Sequence, residues 1–496
     1  MTSRVKKNRE KIEFGDFQTP DSLACEICDF LWSQGVRPQS VVEPTCGKGS
    51  FLIASLKTFD SSKKFIATDI NSDYLRFLIN KVCPFSSADI EFKNADFFLV
   101  DWHNIFVGLP KPLLIIGNPP WVTNSELGTI AGNNLPIKTN FQNHKGLDAI
   151  TGKANFDISE WMLIHLLDCA QNHVSVLAML CKTSVARKVL RYAWQNNFRV
   201  AEASIHVIDA KRHFNVSVDA CLLVCKTGRL PNVKQCTIYK GLSTSNRIGS
   251  IGQHNSGLLV DPEKYMKWSR FDAIAHYKWR SGVKHDCAKV LELSCEGNRF
   301  TNRLGEICDI EKDFLYPLFK SSSVANNDVI APKLWVLITQ KNISDNPQII
   351  EKQAPKTWAY LKAHSHLLDK RKSSIYKGRP RFSIFGIGDY AFAPWKVSIS
   401  GLYKKIHFSV ISPYMGKPSM VDDTCYYLPC KNQEEAISLS ELLNSETAKK
   451  FLDSFIFWDS KRPVTIEVLR RINIPRLAEE LGISSLQPVD MCLPFH

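Results

Sequence analysis

Asn118-Pro119-Pro120-Trp121 stands at the end of the apolar run Leu113-Leu114-Ile115-Ile116-Gly117, and it restricts what this chain can build more than any other segment. The run reads as a buried strand. Two successive prolines end it, because neither has an N–H to give to a ladder. Proline fixes its own φ and keeps the residue before it extended, so the chain must leave the sheet as a stretched turn. Carbonyl oxygens in such a turn lose their ladder partners and face outward as acceptors. Beside them stand an amide side chain and a flat indole. That set suits a planar group carrying an NH₂. The indole stacks on the ring, while the Asn118 side-chain oxygen and the Pro119 carbonyl accept the two amine hydrogens.

Three more strand-like segments end in acids. Val41-Val42-Glu43 runs into the Gly-rich turn Pro44-Thr45-Cys46-Gly47-Lys48-Gly49-Ser50, and then into a helix pattern from Phe51 to Leu56. Glycines there let the backbone approach a ligand closely, although one Gly-x-Gly is shorter than a full dinucleotide fingerprint. Phe65-Ile66-Ala67-Thr68-Asp69 ends where a doubly wound fold places an acid for ribose hydroxyls. Asn94-Ala95-Asp96-Phe97-Phe98 offers an acid for an adenine amino group and an aromatic to cover its ring. In an open α/β sheet the carboxyl ends of the strands share one crevice. Glu43, Asp69, Asp96 and Asn118 are therefore expected around it.

Upstream, Phe17-Gln18-Thr19-Pro20-Asp21 precedes a helix pattern from Leu23 to Leu31. The order is then a Thr-Pro element, a Gly-rich turn, two acids and Asn-Pro-Pro-Trp. This resembles the gamma arrangement of N6-adenine DNA methyltransferases from restriction–modification systems. The resemblance continues through Asn155-Phe156-Asp157-Ile158, a helix from Ser159, the strand Val174 to Leu180, and Phe214-Asn215-Val216-Ser217-Val218. It implies an α/β fold, a doubly wound Rossmann-like methyltransferase sheet with a C-terminal α+β DNA-recognition domain. It implies S-adenosyl-L-methionine as cofactor, held by Thr19, Pro20, Glu43, Cys46, Gly47, Gly49, Asp69, Ile70, Asp96 and Phe97, with no metal required. It implies methyl transfer to an adenine flipped out of double-stranded DNA. Asn118, Pro119, Pro120 and Trp121 would surround its amine, and Phe214 would cover its far face. A separate restriction endonuclease is the second partner such systems suggest. The C-terminal half resembles the family's recognition domains through Ala393-Pro394-Trp395-Lys396-Val397, Tyr426-Tyr427-Leu428 and Leu442-Leu443-Asn444-Ser445.

Three other readings stay open. N4-cytosine DNA methyltransferases share the amine chemistry but more often carry Ser or Thr in place of Asn118. Methyltransferases of rRNA adenine or protein glutamine share the Asn-Pro-Pro-aromatic motif but usually lack a large basic C-terminal domain. A non-catalytic DNA-binding subunit would keep the fold alone, and the intact strand-end acids and tetrapeptide argue against it.

With 496 residues the chain is too long for one core. The pattern divides it into a catalytic domain over 1–228, a linker with short strands over 229–270 and a DNA-recognition domain over 271–496. A net charge of +14 favours a polyanion partner. No apolar stretch approaches the ~20 residues of a membrane span, and no apolar signal core follows the basic start, so a cytoplasmic protein is expected. The 15 cysteines then read as reduced thiols. Cys25-x-x-Cys28 falls within a helix pattern, and no zinc set completes it. Between Trp121 and Asn155 a polar, Gly/Asn-rich insertion reads as a lid or a solvated loop.

Three runs mix cations with aromatics and suggest DNA contacts: Tyr277 to Asp286, Lys370 to Arg381, and Trp458 to Pro463. His285-Asp286-Cys287 lacks the strained serine turn of a hydrolase and reads as structural or DNA-contacting.

Overall fold

The computed structural model describes residues 18–82, 88–121, 157–215, 219–228, 233–254, 257–273, 277–297 and 299–483. Phe17, the insertion after Trp121, Asn155, Phe156 and Val216 to Val218 lie outside the described residues. The chain divides into two compact units, Met1–Pro262 and Glu263–His496.

In the first unit α1 (Asp21–Ser33) precedes β1 (Ser40–Glu43), α2 (Ser50–Thr58), β2 (Lys64–Asp69), α3 (Ser72–Val82), β3 (Ile90–Asn94), α4 (Trp102–Gly108) and β4 (Leu113–Gly117). After the insertion come α5 (Ile158–Ala170), β5 (Ser175–Lys182), α6 (Thr183–Gln195), β6 (Val200–Ile208), α7 (Ala210–Phe214), β7 (Ala220–Thr227), β8 (Gln235–Lys240), β9 (Arg247–His254) and β10 (Gly257–Leu259). One sheet holds all ten strands in the order β10-β9-β8-β6-β7-β5-β4-β1-β2-β3. β3, β2, β1, β4 and β5 are parallel, and β7 runs antiparallel between β5 and β6.

The apolar runs explain the middle of this sheet. Every residue of β1 and β4 is buried, as expected of parallel strands covered on both faces. α1 buries Leu23, Ala24, Ile27, Cys28, Phe30 and Leu31, a 3–4 spacing that gives one apolar face. The doubly wound sheet expected from the sequence is thus present, and it is larger than expected. The span 229–270 contributes three strands that extend the same sheet, and the first unit runs through them to Pro262.

The second unit holds two sheets. One has the order β11 (Arg280–Ser281), β19 (Cys425–Cys430), β16 (Trp395–Ser400), β17 (Phe408–Ile411). The other has the order β13 (Arg299–Asn302), β12 (Glu292–Glu296), β15 (Leu334–Leu337), β14 (Leu315–Phe319), β18 (Met420–Val421). The segments that carried the C-terminal resemblance form the middle of the first of these, where Val397 pairs with Leu428. Asn444, from the helix Gln433–Asn444, closes the outer strand by bonding both the N–H and the carbonyl of Phe408. Among the described residues, no helix is long and apolar enough to cross a membrane.

Candidate active site

The strand order reverses between β1 and β4, and a doubly wound sheet opens its crevice at such a switch point. Glu43 ends β1 and is 2% exposed. Its Oε2 accepts the Leu52 N–H at 2.8 Å. It thereby supplies the cap that Gly49, at the start of α2, has no side chain to give. Burial pushes the Glu43 carboxyl well above the usual range; the Leu52 N–H opposes that, and the neighbouring Asp69 adds to it. A positive group beside Glu43 would bring it back down.

The Gly-rich turn can be built only with its glycines. Gly47 and Gly49 have φ of 51° and 82°. A Cβ on Gly49 would lie 2.2 Å from Leu78 Cδ1, and one on Gly47 would lie 2.8 Å from Gln18 Oε1. Both flanks of the turn are laced. Asp69, at the end of β2, accepts the Gly47 N–H on Oδ2 at 2.7 Å and the Asn71 N–H on Oδ1 at 2.8 Å. Gln18 Oε1 accepts the Lys48 N–H at 3.0 Å. Ser50 Oγ lies 2.8 Å from the Thr19 carbonyl and 2.6 Å from Asp21 Oδ1. Gly47 is thus bonded directly to Asp69, and Thr19 to Ser50 at the end of the turn, with Pro20 and Gly49 as their chain neighbours. Ile70, beside Asp69, is 40% exposed. Cys46 sits beneath, its N–H on the Thr68 carbonyl and its thiol pushed up by burial. Thr45 Oγ1 is buried and makes no hydrogen bond.

Asp96 follows β3, whose Asn94 pairs with Asp69. Its Oδ1 caps a single turn through the Phe98 N–H. Phe97 is more deeply placed than the sequence suggests. It is 5% exposed, with Phe98, Trp102, Trp161 and His165 around it. Phe98 and Trp161, 5.0 Å apart, are the half-buried rings of this patch, and Trp161 carried no signal in the sequence.

On the other side of the switch point, β4 ends at Gly117. A Cβ built there would lie 3.7 Å from Pro44 Cδ and 3.8 Å from Glu43 Cγ, so Asn118 follows directly beside the Gly-rich turn. Asn118 and Pro120 are half-buried, Pro119 and Trp121 buried. Phe214, the last residue of α7, meets Trp121 edge to face with ring centroids 5.3 Å apart. A base between two rings needs about 7 Å, two van der Waals gaps. The rings thus come together as expected, but in contact with each other.

One part of this region escaped the sequence reading. Lys182, the last residue of β5, places its Nζ 3.3 Å from the Trp121 carbonyl and 2.6 Å from Asp157 Oδ2. The only sequence signal was a lysine closing an apolar strand.

In the second unit, several of the cations read as surface contacts point inward. Trp279 is 1% exposed, and the Arg280 guanidinium lies 4.1 Å from the Tyr390 ring centre. Arg371 donates to the Leu368 and Ser383 carbonyls at 2.8 and 2.7 Å, reaches the His285 carbonyl at 3.3 Å and covers the Tyr376 ring. Arg381 pairs with Asp369, and Arg462 with Asp423. Lys370, Lys372, Lys377 and Arg379 remain exposed. His285 Nε2 lies 3.2 Å from the buried Glu292, and burial pushes the Cys287 thiol up, so His285 and Cys287 belong to the interior, while Asp286 between them is exposed.

No family model matches the chain. The DNA-bound structure of the type IIL restriction–modification enzyme MmeI superposes with a TM-score of 0.51 at 12% identity, over 92% of this chain. This chain spans 64% of MmeI, and the likeness is one of fold. The type II methyltransferase M.NspV of Nostoc sp. is 47% identical over 480 residues, 97% of this chain and 99% of that protein. At that identity over nearly the whole of both proteins, the chain belongs to the type II methyltransferases.

Proposed function

We propose that this methyltransferase acts on the N6 amine of adenine at a specific site in double-stranded DNA, with S-adenosyl-L-methionine as methyl donor. The observation that carries the reading is the position of Asn118-Pro119-Pro120-Trp121 at the end of β4, beside the Gly-rich turn and the strand-end acids. The kinship with M.NspV and the fold shared with DNA-bound MmeI support DNA as substrate.

The residues present fit the donor. The Gly47–Gly49 cradle, the partnerless Thr45 hydroxyl and a Glu43 that burial leaves in want of a positive neighbour suit the amino-acid end. Asp69, which accepts the Gly47 and Asn71 N–H groups, stands at the end of β2, where a doubly wound sheet places an acid for ribose hydroxyls. Asp96, Ile70 and Phe97 frame the place for the adenine end, with Phe97 as its wall. When bound, S-adenosyl-L-methionine supplies a methyl that its sulfonium has already made electrophilic.

The chain's own work is on the amine. Its lone pair is delocalised into the ring and nucleophilic only when localised. Asn118 and the Pro119 carbonyl accept its two hydrogens, draw them out of the ring plane and stabilise the positive charge that grows on nitrogen. The methylated nitrogen is strongly acidic while it carries the extra proton, and that proton passes to water. The target base must leave the duplex stack, and Trp121 and Phe214 part to receive it. The second unit carries DNA recognition, with phosphate contacts from the exposed Lys370, Lys372, Lys377 and Arg379.

Methylation-sensitive long-read sequencing of DNA from cells expressing the chain tests this reading. N6-methyladenine at one motif is the expected result. N4-methylcytosine would replace adenine with cytosine as the target, and unmodified DNA would overturn the reading as a whole.

A further inference from the structure

The two described residues that flank the 122–156 insertion are Trp121, where the catalytic turn ends, and Asp157, where α5 begins. One ammonium group holds both. Lys182 Nζ lies 2.6 Å from Asp157 Oδ2 and 3.3 Å from the Trp121 carbonyl. The Asp157 carboxylate is 8% exposed and fixed at its other oxygen, where Oδ1 accepts the Ser159 N–H at 3.2 Å as the cap of α5. The Lys182 backbone is held in the sheet by β7, where it pairs with Ala220. The Trp121 peptide is thus tied to two rigid elements through a single cation. A carbonyl held this way sets the orientation of the residue that bears it, here the ring in contact with Phe214.

We propose that Lys182 is a positioning residue. By holding the Trp121 carbonyl against Asp157, it fixes the last peptide of Asn118-Pro119-Pro120-Trp121, and with it the acceptor geometry around the target amine. The inference rests on the proposed function only in that the tetrapeptide is where methyl transfer occurs. Lys182 itself touches neither donor nor base.

The neighbouring pair Lys188–Glu160, at 2.8 Å, provides an internal control. It also joins α6 to α5, but it does not reach Trp121.

The test uses the full-length protein, tritiated S-adenosyl-L-methionine and unmethylated genomic DNA. Calorimetry of donor binding and circular dichroism run alongside. Lys182→Met should lower kcat by about 10- to 100-fold, the scale of a misplaced reacting group. Its donor affinity should stay near wild type, because no cofactor residue contacts Lys182. Lys182→Arg should recover much of the loss, and Lys188→Met should keep the wild-type kcat. Wild-type kcat in folded Lys182→Met overturns the proposal. So does an equal loss in Lys188→Met, which would assign the effect to the α5–α6 contact in general. No transfer by the wild-type protein would instead overturn the proposed function.

Discussion

Two buried glutamates, one in each unit, behave in opposite ways. Glu43 and Glu292 are 2% and 1% exposed, and both close or open a strand in the middle of a sheet. Glu292 is surrounded by hydrogen-bond donors, two of them cations. His285 Nε2 lies at 3.2 Å, Lys320 Nζ at 2.8 Å, and Arg303 bonds the second oxygen. Burial alone would push this carboxyl up, but His285 and Lys320 hold it down at about 2. Lys320 in turn reaches Asp422 at 3.0 Å, so the knot joins β12 to the turn after β18. Glu43 has backbone N–H groups for partners and a second acid, Asp69, nearby, and it is pushed up instead. A buried acid whose demand is met inside the fold is scaffold; under the proposed function, the one left beside a second acid is where the donor's positive group would sit.

The largest effect should come from breaking the satisfied knot. Glu292→Gln leaves Lys320 and Arg303 facing a neutral group and should destabilise the second unit by about 3–5 kcal/mol. Chemical denaturation checks this, and a change below 1 kcal/mol, roughly the worth of an exposed pair, would remove the distinction. In the catalytic turn, Asn118→Ala should cut turnover by about 10²–10³-fold, the range for losing one transition-state hydrogen-bonding group. Donor binding should stay close to wild type by titration calorimetry. A parallel loss of donor affinity would place Asn118 in the cofactor site.

Asp69→Ala should weaken donor binding by about 1.5–3 kcal/mol, the range for a charged hydrogen bond. The two glutamates should also separate in pH. Glu43 titrates higher in the fold than its unfolded 4.5, so the native state holds the extra proton just above that pH. Stability without ligand should therefore fall as pH rises through the folded value, and Glu43→Gln should remove that fall. The stability owed to Glu292 is complete above its unfolded 4.5 and is lost as pH falls toward about 2. Unfolding curves of both variants, followed upward from about pH 2, would expose a reversed sign in either.

The smallest effect is in the basic run. Neutralising Lys370, Lys372 and Lys377 should flatten the dependence of log affinity for DNA on log salt by about 0.9 per lost phosphate contact. Arg371→Gln should lower the melting temperature and leave that slope unchanged, because its donors are spent on carbonyls. A slope change in Arg371→Gln without loss of stability would reverse the assignment.

What could be read in the sequence follows from the range of the interactions. β1 and β4 were legible because burial on both faces needs unbroken apolar runs, and the end of β4 because two prolines allow nothing else. The Gly-rich turn was legible because positive φ at Gly47 and Gly49 restricts the residue type. β8 and β9 read as linker, since Gly249, Ser250 and Gly252 give β9 no apolar run, and β8 joins the sheet only by pairing with β6, upstream of β7. The inward turn of Arg371 was hidden because one of its acceptors, the carbonyl of His285, lies 86 residues away. The Lys182 clasp was hidden for the same reason, its two partners being separated by the insertion.

The contact between Trp121 and Phe214 has a consequence for the encounter with a base. Two aromatic faces held apart would be wetted and would have to be dried at every encounter. Here Trp121 is buried, and the half-buried Phe214 covers part of it. An edge-to-face pair is worth about 0.5–1.5 kcal/mol beyond burial, and stacking a base returns about 1–3 kcal/mol. Under the proposed function the exchange is nearly even, so the pocket can refill with its own side chains as the methylated base leaves. Product release then works with the aromatic pair rather than against it.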